Sequence, residues 1–531
     1  MGSVSFQASS LLSSAERNFS AEDMLIDKGG NTIIVGWTDG DLGTQQSIGI
    51  ADAFIASYSS SGELAWSNLF GGHSIDRAYA VSAHDDSIYV AGSSATNIGQ
   101  GENLNISGAF VRKYSVIGEE AWTKMIFDST GSQSWGSGIT SIVAHDDGYI
   151  YFAGSAADGP NGGRDMIVGK MNNLGELQWL DYFGGSKEEF VYAMDVDTFG
   201  NIYVAGYTAT ISYPAGNQAN QDGFVWKFNN KGQKLWSHII STEYRDHVHA
   251  LTVGNDGFVY IGGLTDSPIL NGVNNTGNSN ADGFVIKMSD QGDLVWTQTL
   301  GYGDSSFEQI NDIYYSVDDG IYATGETAGG FVTGSAEAGG GFDALVVNLS
   351  SSDGSEIWAT QFGGDYFDHG NRIEKDSDGV IRICGTTSST IFLDQENQAH
   401  YNHASNSFLT LVTEREQPQD NDGDGFVDGL TNYQLWTEKG GIDLKSRRGN
   451  TYSDDTSRKW DAIKAVETDA GFSVLVEGHL SKEGKYKVVT ANEEGVIGGA
   501  TRWLNGNQMF DSGYEEVFSM DFNGNGVVDL L

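Results

Sequence analysis

Residues 191–240 contain one complete copy of a unit that recurs along this chain, VYAMDVDTFGNIYVAGYTATISYPAGNQANQDGFVWKFNNKGQKLWSHII. Apolar and β-branched residues are concentrated in short runs, and turn residues such as Gly200 and Gly232 lie between them. This pattern is typical of short strands joined by tight turns. We therefore expect four strands in the unit, at 191–197, 202–206, 223–229 and 234–240.

Three signatures of this unit repeat along the chain at intervals of about 60 residues. An apolar strand that ends in glycine, as in Tyr203-Val204-Ala205-Gly206, occurs seven times, and a motif such as Asp222-Gly223-Phe224 follows each copy. The third signature is Gly-x-x-x-Trp. Its six tryptophans are Trp66, Trp122, Trp179, Trp236, Trp296 and Trp358.

Radial repetition of a four-stranded unit is typical of β-propeller blades. Seven units contain the first three strands, but only six have a tryptophan-bearing fourth strand after them. Val4–Ala8 alternates as a strand should, and Phe6 falls near the tryptophan position. We predict an all-β, seven-bladed propeller over residues 1–413, in which this N-terminal strand completes the last blade and covers an otherwise exposed sheet edge.

The sequence pattern changes after Val412. Residues 414–431 are predicted to be a linker with a calcium loop, and residues 432–531 a tryptophan-rich domain that is either α+β or mostly β. In the latter, Phe472–Val476 and Tyr486–Val489 are strand-like, whereas Trp460–Glu467 is compatible with helix or strand.

Two stretches have the alternating spacing of a calcium loop, DNDGDGFVD at 420–428 and DFNGNGVVD at 521–529. Oxygen ligands at alternate positions converge on a hard cation, and Gly425 allows the sharp turn. Thr431 stands where an EF-hand has its glutamate, so a shorter loop type is expected. The predicted cofactor is Ca²⁺, the alternative is a metal-free Asp/Gly turn, and the predicted ligands are Asp420, Asp422, Asp424, Asp428, Asp521, Asn523, Asn525 and Asp529.

The 531 residues carry a formal net charge of −43. A field of this sign repels nucleic-acid phosphates and anionic membrane surfaces, so neither is an expected partner. No apolar run reaches the length of a membrane span. The single cysteine, Cys384, excludes an intramolecular disulfide and is expected to be a buried structural thiol.

The units resemble the SBBP propeller repeats of secreted bacterial proteins over about residues 4–413, on the motifs Asp-Ala-Phe, Gly-x-x-x-Trp, Gly-Gly and Tyr-Val-Ala-Gly. Residues 432–531 are similar to a tryptophan-rich domain of secreted calcium-binding proteins from cyanobacteria and marine bacteria. These resemblances imply an extracellular or cell-surface location. The N-terminus lacks the basic and apolar regions of a signal peptide, so export by another route is expected.

The connections between second and third strands are long and dissimilar, and antiparallel geometry places all of them on one face. Variable loops on a rigid scaffold commonly form binding sites. We predict that this face recognises a glycan or a protein. No nucleophile motif, phosphate loop or His-Glu-x-x-His motif is present, so the chain is predicted not to be an enzyme.

Several residue sets leave other interpretations open. Acidic residues in the connectors between units could act as carboxylates of a lyase or glycoside hydrolase at the channel mouth, or could cap turns. His247 and His249 could form a metal pair, but no third ligand is evident. A structural subunit that self-assembles in a surface appendage is a further alternative. The connector acids are Asp76, Glu188, Glu189, Asp246, Glu308 and Asp368.

The tryptophans are expected to be structural plates that dock on the next blade. A similar spacing occurs in quinoprotein propellers, but those have eight blades and adjacent cysteines. Seven units and one cysteine exclude that cofactor here.

Overall fold

The computed structural model divides the chain into two compact units, Ser3–Glu414 and Arg415–Leu531. The structure describes residues 4–12, 17–96, 98, 108–126, 138–157, 159–186, 188–209, 221–274, 281–302, 307–328, 341–389, 391–392, 395–396, 406–414, 434–437, 440–443, 460–468, 471–478, 485–492, 496–505 and 508–509.

The described part of the first unit is built from seven four-stranded antiparallel sheets. We number them sheet 1 to sheet 7 and name their strands first to fourth. Sheet 1 contains Phe19–Ile26, Thr32–Thr38, Asp52–Tyr58 and Leu64–Phe70, sheet 2 contains Asp76–His84, Ser87–Ser94, Gly108–Ser115 and Glu120–Met125, and sheet 3 contains Gly138–Ala144, Tyr149–Ala156, Asp165–Asn172 and Leu177–Phe183. Sheet 4 contains Glu189–Val196, Ile202–Thr208, Asp222–Phe228 and Lys234–Ile240, and sheet 5 contains Asp246–Val253, Val259–Thr265, Asp282–Met288 and Leu294–Leu300. Sheet 6 contains Glu308–Ser316, Gly320–Thr327, Asp343–Leu349 and Glu356–Phe362, and sheet 7 contains Asp368–Lys375, Val380–Thr387, Asn406–Glu414 and Val4–Leu12.

The fourth strand of sheet 7 comes from the N-terminus. Val4–Leu12 pairs antiparallel with Asn406–Glu414, and Ser9 lies opposite Thr410. Counted from the start of the third strand, the position of the tryptophans in the other sheets is taken by Ala8, opposite Leu411, and Phe6 lies opposite Val412. The expected strand is therefore present and longer than predicted.

A β-bulge interrupts the first strand of every one of these sheets. In sheet 4, for example, Val191 and Ala193 lie opposite Gly206 and Ala205, which leaves Tyr192 without an opposite residue. A bulge re-aims the extra side chain and increases the local twist. The bulged residues are Glu22, Tyr79, Thr140, Tyr192, His249, Asn311 and Asn371.

Apolar side chains between neighbouring sheets form most of the core. Within a sheet such as sheet 4, Tyr203, Val204 and Ala205 are all buried, so both sheet faces are covered. Sheet 7 packs against sheet 1 in the same manner, because Cys384 and Leu409 share a buried cluster with Phe19 and Ala21.

The predicted docking role of the tryptophans is confirmed for five of them. Each indole Nε1–H donates to a carbonyl in the turn between the third and fourth strands of the next sheet, and the indole faces the glycine of that turn. The bonds are Trp66 to Val116 (3.2 Å), Trp122 to Asn173 (3.3 Å), Trp179 to Asn230 (3.3 Å), Trp236 to Asp290 (2.9 Å) and Trp296 to Ser351 (3.3 Å).

Two short hairpins lie in the connections from second to third strands, Ile269–Leu270 with Val273–Asn274 and Ile391–Phe392 with Gln395–Glu396. The described part of the second unit contains a hairpin and a four-stranded antiparallel sheet. Its strands are Gln434–Thr437 with Gly440–Asp443, then Trp460–Thr468, Gly471–Gly478, Tyr486–Ala491 and Ile497–Ala500.

The segment that begins at Trp460, which the sequence left open between helix and strand, is therefore a strand. In the described residues, no helix has the length and apolar character needed to cross a bilayer.

Candidate functional site

An aromatic surface lies where the chain enters the first and third strands of sheets 6 and 7. Phe307 and Phe342 immediately precede the first and third strands of sheet 6, and Tyr366 and Phe367 precede the first strand of sheet 7. We call these four side chains the aromatic platform. They lie at the sheet edge from which the long second-to-third connections also emerge, the edge that the sequence predicted to bind ligands.

Three rings of the platform, those of Phe307, Phe342 and Phe367, form a contiguous row, and Tyr366 and Phe367 are exposed to solvent. The ring centroids of Phe307 and Phe342 are 5.1 Å apart, and those of Phe342 and Phe367 are 5.7 Å apart. Tyr366 is 44% exposed and Phe367 is 47% exposed. Large aromatic side chains are usually buried because burial of their apolar area is favourable, so two adjacent exposed rings are a candidate binding surface.

A histidine–glutamate pair lies beside the platform. The ring of His369 is nearly parallel to that of Phe367, with 4° between the planes and 6.5 Å between centroids. His369 Nδ1 is in hydrogen-bond contact with Glu326 Oε2. Burial lowers the pKa of His369, which favours the neutral imidazole. A neutral ring that donates through Nδ1 presents Nε2 as an acceptor, so the pair adds polar character to an apolar surface.

A second group of polar side chains joins the first strands of sheets 1, 6 and 7. Arg372 Nε donates to Asp23 Oδ1 at 2.8 Å, and Arg372 Nη1 lies 4.0 Å from Asp312 Oδ1. Glu374, two residues along the same strand, accepts a hydrogen bond from the Ile26 amide at 2.7 Å. We call Asp23, Asp312, Arg372 and Glu374 the first-strand carboxylate cluster.

The cluster has three acids and one cation, and burial raises the pKa values of all three acids. Burial, followed by repulsion from Asp23 and Asp312, raises the pKa of Glu374 to about 8. Burial raises the pKa of Asp312 to about 6, although Arg372 opposes the shift. The pKa of Asp23 is also raised by burial. A carboxyl group that titrates near neutrality can donate or accept a proton at physiological pH.

The same carboxylates connect neighbouring sheets. Asp23 accepts from the Val81 amide of sheet 2 at 2.7 Å, and Asp312 accepts from the Ile373 amide of sheet 7 at 2.9 Å. Asp195 makes the equivalent bond to the Val253 amide at 2.8 Å. The cluster thus has a structural role besides any chemical one, since each acid satisfies a backbone donor of the next sheet.

The connector acids lie at the junctions between sheets, and most are buried. The turn-capping interpretation is confirmed for four of them, whose carboxylates accept a hydrogen bond from a connector amide. These bonds are Gly72 to Asp76 (2.8 Å), Gly185 to Glu189 (3.0 Å), Thr242 to Asp246 (2.9 Å) and Gly364 to Asp368 (2.8 Å). Glu308 accepts from the Thr327 hydroxyl at 3.0 Å, and Glu188 lies 3.5 Å from Arg164 Nε.

His247 and His249 belong to an aromatic group instead of a metal pair. The His247 ring stacks on Tyr207 with centroids 4.2 Å apart and 11° between planes, and His249 meets Tyr192 edge to face at 4.6 Å. Burial lowers the pKa of both imidazoles, to about 4 for His247 and about 3 for His249. Both rings are therefore neutral packing groups near neutral pH.

All eight predicted calcium ligands, in 420–428 and 521–529, lie outside the described residues. In the part of the chain that is described, no three Asp, Glu, His or Cys side chains converge on a metal-sized site.

The sequence carries one pattern that indicates the platform. Phe307, Phe342 and Phe367 each stand one residue before an acid that begins a first or third strand. Alignment of the seven units in columns would have placed these aromatic residues at one edge. The first-strand carboxylate cluster had no such signal, because Asp23 and Arg372 are 349 residues apart.

Comparison with known proteins supports the repeat. Residues 178–210 match the beta-propeller repeat family SBBP. The regulatory protein FlaEY of Caulobacter vibrioides is 24% identical over 200 residues, which cover 33% of this chain and 21% of that protein. The chain thus matches about a fifth of the length of this curated relative. The repeat match and the four-stranded sheets define a nearly all-β protein of the β-propeller repeat type.

Solved structures with a similar arrangement have low sequence identity. A protein of unknown function from Dyadobacter fermentans aligns with a TM-score of 0.41 and 12% identity, over 78% of this chain and 99% of that one. YCF48 bound to a D1 peptide aligns with a TM-score of 0.41 and 12% identity, over 77% of this chain and 95% of that one. The polysaccharide lyase Uly1 aligns with a TM-score of 0.41 and 11% identity, over 74% of this chain and 90% of that one.

Proposed function

We propose that this protein is an extracellular or cell-surface β-propeller that binds a glycan through the aromatic platform and the long loops around it. The observation that carries the proposal is that the consecutive aromatic residues Tyr366 and Phe367 are both exposed on the loop edge of the sheets. Sugar rings present flat C–H faces, which stack on exposed aromatic side chains, while polar groups at the border bond the hydroxyls.

The polar groups beside the platform support a glycan over an apolar ligand. Glu326 and His369 lie at its border, and a neutral His369 that donates through Nδ1 to Glu326 presents Nε2 as an acceptor. A sugar hydroxyl beside the rings would therefore meet a hydrogen-bond acceptor. A protein partner that buries Phe367 is the alternative occupant, and the experiment below separates the two.

A closed ring of seven blades is part of the proposal. Three observations support it: the N-terminal strand pairs within sheet 7, Cys384 and Leu409 pack against Phe19, and Glu374 of sheet 7 bonds the Ile26 amide of sheet 1. In such a ring the first strands line the axis, and all second-to-third connections open on one face.

Calcium binding by the loops at 420–428 and 521–529 also belongs to the proposal, with Asp420, Asp422, Asp424, Asp428, Asp521, Asn523, Asn525 and Asp529 as ligands. Alternate oxygen ligands suit Ca²⁺, which accepts flexible geometry. Such loops would hold the C-terminal unit together outside the cell, where calcium is abundant.

A glycan array with the full-length chain, followed by titration of the best hit, tests this function. Phe367→Ala should weaken binding at least about tenfold, since loss of a stacking ring removes on the order of 1.5 kcal/mol or more. Phe199→Ala is the matched control, because Phe199 is 82% exposed in a turn at the opposite edge of sheet 4. Equal glycan binding by the two variants would refute the platform as the binding site. Capture of a protein that is lost only in Phe367→Ala would show that the platform binds a protein and not a glycan.

A second candidate function is catalysis by the first-strand carboxylate cluster. The raised pKa of Glu374, about 8, is the observation that favours it, because a general acid must be protonated near the working pH. Incubation with acidic and neutral polysaccharides, read by reducing-end release and by absorbance of unsaturated products, tests it. Activity that is present in the wild type and lost in Glu374→Gln would support an enzyme. If no substrate yields a product, glycan binding remains as the proposed function.

A further inference from the structure

Acidic residues occur in pairs at five junctions between consecutive sheets. One acid begins the third strand of a sheet, and the other begins the first strand of the next sheet. We call these the junction acid pairs: Asp52 with Asp76, Asp165 with Glu189, Asp222 with Asp246, Asp282 with Glu308, and Asp343 with Asp368.

A backbone hydrogen bond holds the two acids of every pair together. The amide of the first-strand acid donates to the carbonyl of the residue that precedes the third-strand aspartate. The bonds are Asp76 to Ala51 (2.9 Å), Glu189 to Arg164 (2.8 Å), Asp246 to Gln221 (2.8 Å), Glu308 to Ala281 (3.0 Å) and Asp368 to Phe342 (2.7 Å). The fold therefore places two carboxylates side by side at each of these junctions.

At three of the five junctions the paired carboxylates face each other across a connector glycine. A Cβ on Gly71 would stand 2.3 Å from Asp52 Oδ1 and 2.7 Å from Asp76 Oδ2, and the oxygens are thus at most about 5 Å apart. Gly184 has the same relation to Asp165 and Glu189, and Gly363 to Asp343 and Asp368. Bonds of about 2.3–2.6 Å from calcium to oxygen span such a gap.

One oxygen at these junctions has no hydrogen-bond partner. Among the described residues, Oδ1 of Asp52, Asp165 and Asp343 is buried and unpartnered, and each of these side chains is at least nine-tenths buried. These are the same atoms that point across the connector glycine at the other acid of the pair. A buried carboxylate oxygen without a partner is costly, so a missing ligand is indicated at the same place in three sheets.

The two acids of a pair occur together or not at all. Where the third strand begins with Gly108 or Asn406, the residue three positions before the bulge of the next first strand is, in the sequence, Ser137 or Phe19. An acid that only capped its own connector turn would not require an acid in the neighbouring sheet. Joint presence and joint absence indicate that both carboxylates act on one shared group.

We propose that each junction acid pair binds one divalent cation, with Ca²⁺ as the ion its oxygen ligands suit. Two carboxylates neutralise the charge, and backbone carbonyls and water complete the coordination shell, since no third acidic side chain converges there in the described residues. The cations would connect consecutive sheets at five of the seven junctions. These sites are separate from the two C-terminal loops.

The nearby cation Arg112 does not take this role at the first junction. Arg112 influences Asp76 electrostatically, but its guanidinium lies 4.1 Å from the Phe70 ring centroid and 3.5 Å from Glu120. The alternative neutralising group is a proton shared by the two carboxyls, and the test separates it from a metal.

The test is calcium stoichiometry of the full-length chain by native mass spectrometry, after EDTA treatment and reloading with Ca²⁺. Asp52→Asn and Asp343→Asn should each bind one Ca²⁺ fewer than the wild type. Asp86→Asn, which removes the same charge from an exposed turn, should bind the wild-type number. Asp422→Asn tests calcium binding by the first C-terminal loop separately. An unchanged calcium number in that variant would count against the loop and not against the junction sites.

Thermal unfolding of the same variants gives a second readout that also distinguishes a shared proton. With Ca²⁺ present, Asp343→Asn should melt below the wild type, whereas in EDTA it should melt above it because repulsion between two carboxylates is relieved. Unchanged stoichiometry in both junction variants, or a higher melting temperature in EDTA and Ca²⁺ alike, would overturn the proposal in favour of a shared proton.

Discussion

The indole of Trp66 lies against Gly118 of the next sheet. A Cβ on Gly118 would be 2.7 Å from indole Cδ2 and Cε3, and Trp66 Nε1 donates to the Val116 carbonyl in the same turn at 3.2 Å. Gly118 has φ of 83°, which glycine adopts without strain. The glycine of a Gly-x-x-x-Trp motif therefore contacts the tryptophan of the preceding sheet. The tryptophan of the same motif packs on the glycine turn of the following sheet.

Gly118→Ala should destabilise the protein by about 2 to 5 kcal/mol, because the left-handed backbone costs about 1–2 kcal/mol for a residue with a Cβ and the methyl group also displaces the Trp66 ring. Urea unfolding monitored by tryptophan fluorescence measures the loss. Gly148→Ala is the matched control, with φ of 81° and no atom within 4 Å of the added Cβ. Equal losses in the two variants would mean that the indole contact adds nothing.

Cys384 reports on the junction between sheets 7 and 1. Its side chain is fully buried beside Phe19 and Leu409, and burial raises the pKa of the thiol. We expect a thiol reagent at pH 8 to label the native protein only at the rate of its unfolding, since the thiolate is the reactive form. Deletion of residues 1–12 should accelerate labelling at least about tenfold. Rapid labelling of the intact native chain would contradict this packing.

Glu374 should make the protein less stable as pH rises. Its folded pKa of about 8 lies above the ordinary value of 4.5, so the folded state holds more protons between these values and the free energy of unfolding falls across this window. Glu374→Gln keeps an oxygen that can accept from the Ile26 amide but cannot ionise. The variant should match the wild type near pH 4 and exceed it by about 1 to 3 kcal/mol at pH 8.

The measurement for Glu374→Gln is urea unfolding at several pH values in EDTA, with the difference from the wild type plotted against pH. Subtraction cancels distant groups that titrate in the same window, such as Asp246 and Asp343, whose pKa values are each raised to about 6. A difference that is constant with pH would show that Glu374 titrates normally.

The sequence predicted the repeated features well, because each repeats in a fixed spacing. Trp66 and its counterparts defined the fourth strands, and motifs such as Asp222-Gly223-Phe224 marked the third strands. The N-terminal strand followed from the unequal number of third and fourth strands. Phe6, predicted near the tryptophan position, lies two residues before it, and Ala8 occupies that position.

The candidate sites were harder to predict because they depend on contacts between units. The bulge residues, such as Tyr192, fall within a strand whose alternation does not reveal an extra residue. Asp23 and Arg372 meet only because the last sheet packs on the first. Phe367 resembles an ordinary connector residue in the sequence, and only the packing of the sheets places it beside Phe342.

The central claim is that the N-terminal strand completes the last sheet. A disulfide between cysteines at positions 9 and 410, introduced as Ser9→Cys and Thr410→Cys, tests it because these residues are directly opposite. The control pair is Ser10→Cys with Thr410→Cys, one residue out of register, so the two side chains point to opposite sheet faces. We predict rapid cross-linking of the 9/410 pair under mild oxidation and little of the 10/410 pair, read by non-reducing electrophoresis and mass spectrometry. Failure of the 9/410 pair to cross-link, or equal cross-linking of both, would contradict the account.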